Sequence, residues 1–189
     1  MDSRTFDVGV IIGSSRPDSR NQRVYRAMRR IAPPELRLNE IVIADLPMFE
    51  QALAESAYPE RCMRFRDEVI AADGLLFLTP EHNRSIPAVL KNAIDWGSRP
   101  YGQSAWLGKV AALTGASYGR IGTAAAQQHL RSILGCLDVL MMGLPEVFIY
   151  EWEGLIDAEH NVTDPETRAI WVGFLESFVK LLQRVKPLQ

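Results

Sequence analysis

Cysteine is nearly missing from this chain: Cys62 and Cys136 are the two it has, and they lie far apart. That argues against a disulfide framework or a zinc site and leaves incidental thiols of a reducing compartment as the ordinary reading. Histidine is as scarce, with three residues. His129 and His160 have no metal-ligand spacing to other histidines or acids, so no metal is expected. No apolar run approaches the span of a bilayer, and no basic segment followed by a long apolar core opens the chain, so a cytoplasmic protein without a membrane partner is expected. Charge of one sign is not in excess either. The 21 basic and 23 acidic residues leave a net charge of -2, which suggests neither a nucleic-acid footprint nor a polybasic membrane patch. Arginines do cluster at 16, 20, 23, 26, 29 and 30; this run reads as the solvated face of a helix. Repeats and low-complexity tracts are absent.

What remains is an ordinary globular composition, 47% apolar and 23% charged over 189 residues, enough for one domain spanning 1–189 with a full core. Apolar runs alternate with helical patterns, which argues for βαβ units and a parallel sheet. Strands are expected at 6–12, 36–43, 74–79, 109–114 and 146–150. Helices are expected at 20–31, 59–72, 86–96, 121–139 and 165–185. Ser85 is the expected N-cap of the third helix, with Pro87 in its first turn. Thr163 and Asp164 both suit the cap of the last. Five strands and five helices suggest an α/β, doubly wound, flavodoxin-like sheet of order 2-1-3-4-5. A TIM barrel needs about eight such units.

Three loops hold most of the small polar residues: Gly13 to Asn21, Thr79 to Ser85, and Thr114 to Thr123. They follow the first, third and fourth strands. In the 2-1-3-4-5 order these strands are neighbours, so the loops would line one crevice at the switch point. The first loop suits a phosphate: Gly13 permits a sharp turn, Ser14, Ser19 and Asn21 are short and polar, Arg16 adds a guanidinium fork, and helix N–H groups face an anion. The alternative makes Ser19 a plain N-cap and Arg16 a surface charge. The loop is neither a Walker A motif nor a Gly-x-Gly-x-x-Gly fingerprint, which argues against an NTPase and against a permanently cradled NAD. The second loop, stiffened by Pro80, offers the peptide groups of Glu81 to Asn83 and the side chains of Asn83 and Ser85 to a heteroaromatic edge. His82 reads equally as a stacking group or a loop histidine, and Glu81 as a base only weakly. Glycines of the third loop permit close approach to a flat ligand. Ser117 lacks evident Asp and His partners for a nucleophile role. The aromatic stretch Trp96 to Trp106 reads as an interface, a substrate wall or a packed loop.

These residues resemble the NADPH-dependent FMN reductase family. Gly13-Ser14-Ser15-Arg16-x-x-Ser19-x-Asn21 is similar to its phosphate loop. Pro80-Glu81-His82-Asn83, followed by Ser85-Ile86-Pro87 and Leu90-Lys91-Asn92-Ala93-Ile94-Asp95-Trp96, resembles its flavin-ring segment. Ala44-Asp45-Leu46-Pro47 and Gly115-Ala116-Ser117-x-Gly119 fit the same pattern. His82 stands where the family usually has a tyrosine. The resemblance implies FMN as cofactor, NADPH or NADH as hydride donor, quinones or other small molecules as electron acceptors, and a homodimer or dimer of dimers. Cofactor contacts are expected from Ser14, Arg16, Ser19, Asn21 and Gln22, from Pro80, Glu81, His82, Asn83 and Ser85, and from Gly115, Ser117, Tyr118 and Gly119. No catalytic side chain is required, because the flavin does the redox work. Arg20, Arg84, Arg99 and Arg120 are candidates for the nicotinamide cofactor's phosphates. A non-enzymatic flavodoxin-like electron carrier is the alternative function, and a flavin-responsive regulator a third.

Overall fold

The computed structural model describes residues 4–185. In chain order the elements are β1 (Phe6–Ile12), α1 (Arg20–Ile31), β2 (Leu36–Glu40), α2 (Gln51–Ser56), α3 (Glu60–Ala71), β3 (Gly74–Leu78), α4 (Ala88–Gly97), β4 (Val110–Ser117), α5 (Ala124–Cys136), β5 (Leu140–Met141), β6 (Phe148–Tyr150) and α6 (Pro165–Val185). The sheet is parallel in the order β2-β1-β3-β4-β5, as expected. A sixth strand departs from expectation. β5 lies beside Val110 and Ala111, and β6 beside Gly115 to Ser117, so two short strands share one edge of β4.

Alternate side chains of the central strands feed two cores. Val8, Val10 and Ile12 of β1, with Leu76 and Leu78 of β3, pack under α1 and α6, where Met28, Trp171, Phe174 and Phe178 are buried. Ile11, Leu75, Phe77, Ala111 and Leu113 face the other way, onto Phe65 of α3, Leu90 and Ile94 of α4, and Leu130 and Leu134 of α5. Strands covered on both faces are uniformly apolar for this reason. Trp96 and Trp106 both lie in the second core, fully buried, so the Trp96 to Trp106 stretch is anchored by packing.

Helix ends follow local chemistry. Ser19 Oγ accepts the Gln22 N–H at 3.2 Å and caps α1. Asp164 caps α6, its Oδ2 accepting the Thr167 N–H at 2.8 Å, while the Thr163 hydroxyl turns away to the Gly154 carbonyl. Ser85 does not cap α4. Pro87 holds that position without a side-chain bond, and a residue before proline is kept out of the helical region, which delays the start. α5 starts three residues later than the pattern suggests, after Gly122 at φ 64. α2 was not anticipated; six residues with one buried side chain leave little periodic signal.

Candidate active site

The loops after β1, β3 and β4 meet in one cleft of about 730 Å³ at the carboxyl edge of the sheet, a size within the range of small-molecule sites. Ser14, Arg16, Ser19 and Asn21 line it from the first loop. Pro80, Glu81 and His82 line it from the second, and Ser117, Tyr118 and Gly119 from the third. Asn83 stands in the second loop between two lining residues, His82 and Arg84. Asn83 itself, Gln22, Ser85 and Gly115 do not line the cleft. Gln22 points to Glu40, its Nε2 donating to Oε1 at 2.5 Å.

The first wall is fastened to the third by Asn21. Its Nδ2 donates to the Ala116 carbonyl at 3.1 Å, and its Oδ1 accepts the Ala116 N–H at 2.9 Å. This buried amide mimics a strand pairing between the start of α1 and the end of β4. Arg20 and Arg23 converge on Glu151, whose carboxylate is fully buried, each at 2.5 Å. The Arg20 guanidinium also lies over the Tyr118 ring, 5.3 Å from its centroid. Two arginines of the phosphate-loop helix are therefore taken up by an acid just beyond β6, and one of them carries an aromatic wall of the cleft. Arg16 is mostly exposed, with a loose partner in Asp18 at 3.6 Å.

The second wall is a two-residue hairpin. His82 and Ser85 exchange backbone hydrogen bonds, each at 2.9 Å, and Asn83 and Arg84 between them have φ 51 and 65. Successive left-handed residues define the tight turn that Asn tolerates well. The hairpin is clamped onto α5. Glu81 Oε2 accepts the N–H groups of Ala125 and Ala126 at 3.0 and 3.2 Å, while Oε1 pairs with Arg84 at 3.0 Å. α5 has no side-chain cap of its own, so Glu81 caps it from another element. Ser85 Oγ meets His129 Nδ1 at 2.7 Å one turn further on. Glu81 as a general base does not fit this arrangement, since both carboxylate oxygens are engaged.

The third wall is shaped by close contact. Gly115 packs so tightly on the Thr79 carbonyl and Thr123 hydroxyl that a β-carbon has no room. The Ser117 hydroxyl donates to the Gly122 carbonyl at 2.6 Å and folds the loop upon itself. Behind the second wall, Asn92 and Trp96 of α4 both donate to the Pro47 carbonyl, at 2.9 and 2.7 Å. The Ala44 to Phe49 loop and the Lys91 to Trp96 run thus meet as neighbours rather than as cleft residues.

With Asn21, Glu81, Ser85 and Ser117 tied within the walls, backbone donors remain. The N–H groups of Ser15, Glu81, Asn83, Tyr118 and Arg120 make no hydrogen bond among the described residues. All belong to loops that form the cleft. A phosphate at the start of α1, beside Arg16, and a ring with several carbonyl and nitrogen acceptors between the other two walls match that donor set. The residues present therefore fit FMN. Among the described residues no group of acids, histidines and cysteines is arranged to hold a metal ion, and no helix is long and apolar enough to cross a membrane.

Of the arginines considered for nicotinamide phosphates, Arg20 and Arg84 are ion-paired as described. Arg99 lies over the Phe49 ring at 5.6 Å, outside the cleft. Arg120 lines the cleft and forms no ion pair among the described residues.

Comparison with known proteins agrees with this geometry. The family model described as NADPH-dependent FMN reductase matches residues 6–154. A 2-hydroxy-1,4-benzoquinone reductase from a Burkholderia species is 43% identical over 171 residues, covering 90% of this chain and 93% of the relative. A quinone reductase from Pseudomonas putida is 43% identical over 176 residues, covering 93% and 94%. Among solved structures, the flavoenzyme NAD(P)H:(acceptor) oxidoreductase of Paracoccus denitrificans matches with a TM-score of 0.91 at 38% identity, covering 95% of this chain and 98% of its own. The chain is accordingly an FMN- and NAD(P)H-dependent oxidoreductase rather than a non-enzymatic carrier, and it belongs to the NADPH-dependent FMN reductase family.

Proposed function

We propose that this enzyme reduces quinone-type small molecules at the cleft described above, with reducing equivalents drawn from NAD(P)H. The single observation that carries the reading is the meeting of three loops from neighbouring strand ends, where Asn21, Glu81 and Ser117 are engaged within the walls and the N–H groups of Ser15, Glu81, Asn83, Tyr118 and Arg120 are left without a bond among the described residues. The names of the Burkholderia and Pseudomonas relatives support quinones as the acceptor class.

FMN, when bound, supplies the hydride chemistry. The chain's own work is holding and orienting. Ser14, Arg16 and the first turn of α1, capped by Ser19, hold the phosphate. Pro80 to Asn83 and Ser117 to Gly119 would flank the ring and offer it backbone donors where negative charge develops. Asn21, Ser85 and Gly115 keep the walls in register, while Gln22 is directed to Glu40 away from the cleft. Tyr118, largely exposed at the rim, gives a flat apolar acceptor a surface to lie against. Arg120, which lines the cleft, would add positive charge beside the anionic cofactor.

The reading includes one flavin-binding domain over 1–189, a cytoplasmic setting, and a homodimer or dimer of dimers. Light scattering after size exclusion reports that state directly.

The central test is a visible spectrum. Purified protein should be yellow and should bleach under anaerobic NADH or NADPH, and a quinone should restore the colour. Protein that takes up no FMN sinks the proposal. The Arg16→Ala substitution removes a charge-assisted bond to phosphate and should raise the FMN dissociation constant by about tenfold or more.

A further inference from the structure

The run of arginines along α1 does not form one solvated face. Arg20 and Arg23 are taken up by Glu151, and Arg30 Nε donates to Asn161 Oδ1 at 3.1 Å. The other three, Arg26 and Arg29 of α1 and Arg16 before it, line a second hollow of about 550 Å³, adjoining the flavin cleft, at the carboxyl ends of β1 and β2. Glu40 is the one acid in its lining, and it is held by Gln22. Arg26 donates weakly to the Pro17 carbonyl at 3.4 Å, and Arg29 lies against the Tyr25 hydroxyl. The base of the hollow is apolar, from the buried side chains of Ile12, Ile41 and Ile43. Excess positive charge around an apolar base suits a flat base carrying a phosphate. The hollow shares Ser14, Ser15 and Arg16 with the flavin cleft, so one dinucleotide can cross that loop with an end in each.

We propose that this hollow receives the adenosine 2′-phosphate end of NADPH, with Arg26 and Arg29 holding the phosphate and setting a preference for NADPH over NADH. The inference rests on the reading that the nicotinamide cofactor works in the neighbouring cleft. NADH carries a hydroxyl where NADPH carries a phosphate of nearly two negative charges at neutral pH, so a guanidinium pair discriminates strongly between them.

The test is calorimetric titration of the FMN-loaded protein with 2′,5′-ADP, 5′-AMP and inorganic phosphate, together with steady-state KM values. The parent protein should bind 2′,5′-ADP at least tenfold more tightly than 5′-AMP or phosphate. The double variant Arg26→Ala/Arg29→Ala should bring the three ligands close together and raise the ratio of KM for NADPH to KM for NADH about tenfold. The variant Arg26→Lys/Arg29→Lys should recover part of the difference, and the bound-flavin spectrum shows that each variant is folded. Equal binding of 2′,5′-ADP and 5′-AMP by the parent overturns the proposal, as does a preference unchanged in the alanine variant. Phosphate binding as tightly as 2′,5′-ADP reduces the hollow to a generic anion site and overturns it as well. A parent that fails to bleach with either nicotinamide cofactor overturns the proposed function instead, and the titration is scored independently of that.

Discussion

Replacing Glu81 by alanine removes three contacts at once, and their sizes differ. The N–H groups of Ala125 and Ala126 lose a charged acceptor at 3.0 and 3.2 Å. Bonds to a charged group are worth about 1.5–3 kcal/mol each, but these share one oxygen and do not add fully. The favourable position of a carboxylate at a helix start contributes about 0.3–1 kcal/mol. The partner Arg84 is 71% exposed, so its pair with Glu81 adds about 0–1 kcal/mol. A loss of about 2–4 kcal/mol in unfolding free energy follows for Glu81→Ala. Glu81→Gln keeps an acceptor for the helix start and loses the charge, which should cost about 1 kcal/mol. Urea denaturation of the flavin-free protein measures both values, and FMN fluorescence titration measures the second consequence. Because Glu81 ties the hairpin to α5, flavin affinity should fall in the same order, alanine more than glutamine. A general base behaves in the opposite way: glutamine abolishes turnover while stability and flavin affinity stay near the parent. Unfolding of the alanine variant within about 0.5 kcal/mol of the parent, the range of an uninvolved surface site, refutes the clamp.

Other outcomes follow from the same geometry. Glu151→Gln removes the buried carboxylate and leaves Arg20 and Arg23, each a little over a third exposed, facing a neutral group, which should cost about 1–2 kcal/mol by urea denaturation. Gly115→Ala forces β4 away from the Thr79 carbonyl and should lower stability by about 1–3 kcal/mol while weakening FMN binding. The Cys62 thiol is pushed up to about 11, chiefly by burial, and Cys136 is exposed, so mass spectrometry after brief alkylation of folded protein should show one modified thiol, at Cys136. The Asp45 carboxyl is held below its ordinary value mainly by its hydrogen bond from Arg61. Its stabilising effect is present above the ordinary carboxylate range and is lost as pH falls through the lowered value, so Asp45→Asn should destabilise at about pH 7 and converge with the parent only once the pH has fallen below that lowered value.

Much of the fold was legible because a parallel sheet covered on both faces writes itself as apolar runs. Gly74 to Leu78 has five buried residues in succession, and the 3.6 periodicity of α1 and α6 marked their inner faces. The misses share a physical cause. β5 has two residues and is held by its pairing to Val110 and Ala111, which no local pattern announces. β2 ends at Glu40 although Ile41 and Ile43 extend the apolar run. Those two isoleucines are buried against the second core as coil, so burial and strand pairing part company there.

The site was legible to a different depth. Loops rich in glycine, proline and short polar residues announce where backbone comes close to a ligand, and all three meet as the strand order requires. Partners between side chains were not legible, because they join residues remote in the chain. Asn21 meets Ala116, Glu81 meets Ala125, Ser85 meets His129, and Arg20 and Arg23 meet Glu151. A short amide beside a phosphate loop looks the same in sequence whether it faces an anion or a neighbouring strand. Only burial separates the two: Asn21 is 1% exposed and spends both ends of its amide on the N–H and C=O of one residue, Ala116. The same reasoning extends to Glu81 and Ser117, whose polar atoms are engaged within the walls. Side chains that a motif presents as ligand contacts can instead keep the loops at their spacing, and the donors left over are peptide N–H groups, whose positions depend on that spacing. Substitutions behind the cleft should therefore alter flavin binding through geometry, while Arg16, exposed and loosely partnered, is the position where charge itself is at stake.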